Sequence, residues 1–111
     1  MAQIPQILGQ NLPVSLTDTT LATIPNGTSA TVSVYVANQS SNLDAISIAL
    51  VPDNQVTPPL DQPYNWIAYQ TPILGNGVFA VSSIYLNSGD RIQIISANGT
   101  CSFTATGIVQ T

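Results

Sequence analysis

The chain contains no lysine, no glutamate and no histidine among its 111 residues. Arg91 is its only cation, and its acids are Asp18, Asp44, Asp53, Asp61 and Asp90. The net charge is therefore −4, and charged residues make up 5% of the chain against an ordinary ~25%. Each absence removes a class of function. Without lysine there is no basic patch to neutralise phosphates, so a nucleic-acid partner is not expected. Without histidine, and with Cys101 as the only cysteine, there is no imidazole base, no usual zinc ligand set and no intramolecular disulfide. No run approaches the ~18 apolar residues of a membrane helix, so no membrane partner is expected. The start, Met1-Ala2-Gln3-Ile4-Pro5, has neither the cationic region nor the apolar stretch of a signal peptide. The expectation is synthesis in a cytoplasm.

Helical periodicity is also missing. Apolar residues, 44% of the chain, recur at a spacing of two, and valine, isoleucine and threonine dominate. Turn signals return about every ten residues, the spacing of a β-sandwich. Seven strands are expected, over about 15–24, 29–38, 44–51, 64–72, 78–86, 91–96 and 100–109. Together they make an all-β, single antiparallel sandwich domain over 15–111. Val32, Val34, Ile46, Ile48, Leu50, Ile92, Ile94 and Phe103 fall on the expected core faces, whereas Tyr35 and Tyr85 fall on outward ones. The pairs Asn26-Gly27, Asn76-Gly77 and Asn98-Gly99 mark tight turns, and the last reads as a two-residue hairpin. Residues 52–63 hold Pro52, Pro58, Pro59 and Pro63 and read as a stiff surface loop.

Residues 1–14 stand apart. Ile4, Ile7, Leu8 and Leu12 are apolar, but Pro5, Gly9 and Pro13 argue against a regular strand or helix. The segment reads as an extended N-terminal arm that grips a neighbouring subunit, so deleting residues 2–12 is expected to leave the body folded.

Catalysis has little to work with. A serine or cysteine nucleophile needs a base, and the five aspartates are scattered along the chain. Cys101 alternates with Phe103 and reads as a small buried hydrophobe. No catalytic residue, cofactor or metal is expected; Asp53 and Asp61 are the residues a weak Ca²⁺ site would use. Tyr64, Trp66 and Tyr69 crowd six positions. They admit three readings: a core tryptophan, a contact surface, or a sugar-stacking platform flanked by Asp61, Gln62 and Asn65. The sequons at Asn26, Asn38 and Asn98 read as coincidence in a chain rich in asparagine and threonine.

Three stretches carry a resemblance: Asn38–Val51; Trp66–Ile73 followed by Gly77-Val78; and Leu86–Ile94 with Phe103–Gly107. Over about residues 30–109 the chain resembles small virion proteins of tailed bacteriophages. That resemblance implies a β-sandwich structural protein without catalytic residues. Its leading form is a capsid decoration (cement) protein on the outer surface of a phage head, with the major capsid protein or another virion protein as partner. The low charge adds an expectation of a homo-oligomer. The alternatives are a tail, neck or baseplate component, or a carbohydrate-binding module on a host-attachment device.

Overall fold

The period-two alternation is realised as eight strands in a computed structural model that describes residues 3–55 and 65–111. They are β1 (Gln3–Asn11), β2 (Thr19–Thr23), β3 (Ser29–Asn38), β4 (Asp44–Val51), β5 (Trp66–Ile73), β6 (Val78–Asn87), β7 (Arg91–Ser96) and β8 (Cys101–Gln110). Two antiparallel four-stranded sheets result, in the orders β1-β8-β3-β6 and β2-β7-β4-β5. Apart from β4 and β5, every consecutive pair of strands lies in different sheets. The chain therefore passes back and forth across the core, in the order of an eight-stranded jelly roll. The expected all-β sandwich is present, with eight strands rather than seven.

The inward positions are Ala30, Val32, Val34 and Val36 of β3, Ile46 and Ile48 of β4, Ile92 and Ile94 of β7, and Cys101, Phe103, Ala105 and Val109 of β8, all buried. Pleating alone places them, because alternate residues of a strand share a face. Seven of the eight expected core residues are buried. Leu50 is half-buried, packed on the margin of the core where β4 ends.

Register separates the inner strands from the edges. β3 pairs with β8 without interruption from Ser29↔Gln110 to Asn38↔Cys101, and β4 pairs with β7 without interruption from Ile46↔Ser96 to Val51↔Arg91. Every pairing that involves an edge strand is broken: β1 between Ile7 and Gly9, β2 between Thr20 and Ala22, β6 opposite Val32–Val34, and β5 twice. Gln70 in β5 and Ser83 in β6 take φ values of 50° and 61° at these irregularities. Such bulges twist an edge and spoil it as a template for another strand.

The N-terminal expectation needs correction. Gln3–Asn11 is not an arm outside the body but the edge strand β1, paired with β8 from Gln3↔Gln110 to Asn11↔Phe103. Proline is tolerated on an edge, where one side of the strand has no ladder to complete. Gly9 does not break the strand; it is required there. A Cβ at Gly9 would collide with the Leu21 carbonyl, where β1 runs close against β2. Deleting residues 2–12 therefore strips the edge of β8 and the contact of Leu8 with the core.

The hairpin expectation also fails at Asn98-Gly99, because β7 and β8 belong to different sheets. A type I′ turn needs positive φ at both central residues. Gly27 and Gly99 have it but Asn26 and Asn98 do not, and Asn76 has it but Gly77 does not. Each Asn-Gly pair turns the chain from one sheet to the other.

Phe103 is 1% exposed and is among the largest fully buried side chains. Phe103→Ala is expected to lower the unfolding free energy by about 3–5 kcal/mol in a urea titration; a loss below about 1 kcal/mol would contradict its central place.

Candidate functional site

The titratable groups are few, and among the described residues the two that are buried, Asp44 and Cys101, serve the fold. Asp44, at the start of β4, is 1% exposed. Its Oδ1 accepts from the backbone N–H of Ala45 at 2.7 Å and of Asn98 at 2.9 Å. Its Oδ2 accepts from Ser96 Oγ at 2.6 Å, Thr100 Oγ1 at 2.9 Å and Thr100 N at 3.3 Å. Burial alone would raise the pKa of this carboxyl. The hydrogen bonds from Ser96, Asn98, Thr100 and Ala45 outweigh it and hold the group well below the ordinary carboxylate range. Burial, followed by the nearby Asp44 carboxylate, pushes the Cys101 thiol up to about 12. Cys101 is therefore a protonated, inert thiol at neutral pH.

Asn38, 3% exposed, completes the cluster. Its Nδ2 faces the carbonyls of Asn42, Ile73 and Leu74 at 2.8, 3.1 and 3.3 Å, and its Oδ1 accepts from Ser40 N and shares the single Thr100 Oγ1 proton with Asp44. Burial also leaves this asparagine no room for a glycan. Asp90 is likewise spent on a turn, accepting from Asn87 N at 2.8 Å and Asp53 N at 3.0 Å. Among the described residues no group of three or more acidic or cysteine side chains is placed to hold a metal ion. Asp61, the proposed partner of Asp53, lies outside the described residues.

The expected contact residues separate into two places. Ile4, Ile7 and Leu12 are exposed along and just after β1, whereas Leu8 turns inward against the core. Trp66 and Tyr69 lie on β5, at the far edge of the other sheet. Tyr64 lies outside the described residues. The irregular β4–β5 register brings Trp66 and Tyr69 together, with ring centroids 5.3 Å apart and planes at 51°. Trp66 is half-buried against Ala49 and Val51 on the outer side of its sheet, so it belongs to a small satellite cluster and not to the main core. Tyr69 is 60% exposed. Asn65 is not free to meet a sugar: its amide exchanges two hydrogen bonds with Gln55, at 3.0 and 3.1 Å, and donates to Leu50 O at 3.0 Å.

No protein-family model matches the chain, and no curated protein or solved structure matches it.

One concavity is open at the end of the sandwich, lined by Gly27, Thr28, Ser29, Asn87, Ser88 and Gln110. Its volume of about 230 Å³ falls below the ~300–1,000 Å³ of ordinary ligand pockets. The broader feature is a surface that sequence reading did not isolate: the outward face of β1-β8-β3-β6, which carries exposed Tyr35, Tyr85, Val78 and Ile108. The available signal was the lack of any charged residue in four consecutive-register strands, which becomes visible only once those strands are known to be neighbours.

Because the folded-state pKa of Asp44 lies below its unfolded value, its contribution to stability is full above about pH 4 and is lost as the pH falls below that. Asp44→Asn is expected to cost about 1.5–3 kcal/mol at pH 7 and to flatten the acid limb of the stability–pH curve, measured by urea unfolding between pH 2 and 7. An unchanged acid limb would contradict this account.

Proposed function

We propose that the chain is a structural virion protein that decorates the outer surface of a phage head and stabilises it. The observation that carries this reading is the division of labour among side chains. Asp44 and Cys101 are buried in the fold, while Ile4, Ile7, Leu12 and Tyr69 stand in solvent. Such a surface is suited to contact with protein, not to chemistry. Jelly rolls serve as viral shell proteins, lectins and cupins, and fold alone chooses among none of these. The residues favour the first of them. A cupin-type metal centre draws on histidine and glutamate, which this chain lacks. A sugar platform needs a free aromatic face and free amides, whereas Trp66 packs on Ala49 and Val51 and Asn65 is bonded to Gln55. A shell component needs only contact surfaces. Net charge of −4 favours the outside of the head, since a lining that faces packaged DNA would be repelled.

The test is binding of the purified chain to phage heads that lack it, followed by electron microscopy. Saturable binding to the outer head surface is expected. Ile4→Ser with Leu12→Ser should lower the affinity by at least about tenfold, equivalent to about 1.4 kcal/mol, without unfolding the domain. Binding to tails instead of heads, no particle binding, or indifference to both substitutions would overturn the proposal.

A further inference from the structure

The sheet β1-β8-β3-β6 contains no charged residue in any of its four strands. Asp44 and Arg91 fall in the other sheet and Asp18, Asp53 and Asp90 in connections, while Asp61 lies outside the described residues. Cross-strand partners point to the same side of a sheet, so the registers define the outward face. One row runs from Pro5 through Ile108 and Thr31 to Tyr85, and another from Gln10 through Thr104 and Tyr35 to Ala80. Ile108 is 44% exposed, Tyr35 50% and Tyr85 76%. Between these side chains lie the hydroxyls of Ser33, Thr104 and Thr106. The face is thus apolar and aromatic with a hydroxyl lattice, and it is neutral throughout.

We propose that this face is a homotypic interface, on which a second copy of the chain packs sheet against sheet across a two-fold axis. Three features favour a second copy. The first is charge. A neutral face meets its own copy without like-charge repulsion, whereas contacts through the aspartate-bearing connections would set two chains of net charge −4 against each other. The second is area. Four strands of nine or ten residues span about 19 by 33 Å in projection, of the order of the ~800 Å² per partner in a standard interface. The third is exclusion of other surfaces. All four edge strands have broken registers and are poor templates for strand addition. The outer side of the second sheet already has Ala49 and Val51 buried, with Trp66 packed against them. An isologous contact also lets each hydroxyl row bond its symmetry mate. The inference concerns the chain in solution and does not rest on attachment to a particle.

Sedimentation equilibrium of the full chain tests it. A dimer is expected by roughly 100 µM, with a dissociation constant that rises by no more than about threefold between 50 and 500 mM salt, because no charge pair is at the contact. Tyr35→Asp, which buries a like charge from each copy, is expected to weaken the dimer by at least about tenfold while circular dichroism shows the fold intact. Thr104→Asp, at a half-exposed hydroxyl position facing Tyr35, should do the same and gives an independent reading where the tyrosine substitution disturbs folding. Tyr69→Asp, on β5, should leave the dimer unchanged. A chain that stays monomeric at that concentration, a dimer that survives both face substitutions, or one broken by Tyr69→Asp or dissolved by salt would overturn the proposal.

Discussion

The buried carboxylate of Asp44 is the constraint on which the jelly-roll crossing depends. A charge taken out of water costs several kcal/mol unless its lone pairs are filled, and here five donors fill them. Those donors come from β7, from the β7–β8 connection and from the beginning of β4. The neighbouring Asn38 amide collects carbonyls from the β3–β4 connection, the last residue of β5 and the β5–β6 connection. Ser15 Oγ donates to Ala97 O at 2.6 Å and so adds the β1–β2 connection. One end of the sandwich, where the chain changes sheet four times, is thus held by a satisfied polar cluster. Apolar packing is non-directional and would tolerate several ways of joining two sheets; this cluster tolerates few.

The inner strands and the edges solve different problems. β3–β8 and β4–β7 keep unbroken registers because each carries a dense apolar row that a slip of one residue would turn outward. The edges have less to lose. Their bulges, the positive φ at Gln70 and Ser83, and Pro5 and Pro72 on β1 and β5 all interrupt the open ladder. A chain with one cation has no lysines with which to charge its edges, so backbone irregularity takes over that protective role.

This division explains what could be read from the sequence. Strands β3–β8 and most of the core are legible, because alternation reports a face directly, whereas β2 is legible only in part: a strand is expected over 15–24 and Thr19–Thr23 forms it. The edge strand β1 is not, since proline and glycine ordinarily break strands and nothing local shows that Pro5 sits on an open edge and Gly9 under the Leu21 carbonyl. Asn98-Gly99 marked a turn correctly but could not say whether the chain returns to the same sheet, because local dihedral preference carries no information about layers. Trp66 was ambiguous for a related reason. The two irregularities of β5 change the face a residue occupies, and bulge positions follow from pairing, not from composition. At the candidate site, Ile4, Ile7, Leu12 and Tyr69 are exposed, whereas Leu8 turns inward because β1 joins the sheet.

The scarcity of charge then acquires a geometric meaning. Among the described residues it is not spread evenly: one sheet has none, while Asp44 and Arg91 lie in the other sheet and Asp18, Asp53 and Asp90 in connections. A protein that depended on charge for solubility would place it on the widest exposed face, and this one leaves that face neutral. Packing of such a face across a two-fold axis ends with two copies, because an isologous contact consumes the same surface on both partners. Pairing of edge strands has no such end and leads to open-ended growth. Bulged edges and a neutral, hydroxyl-rich face therefore act in the same direction. They suppress the unlimited mode of association and leave available the closed one.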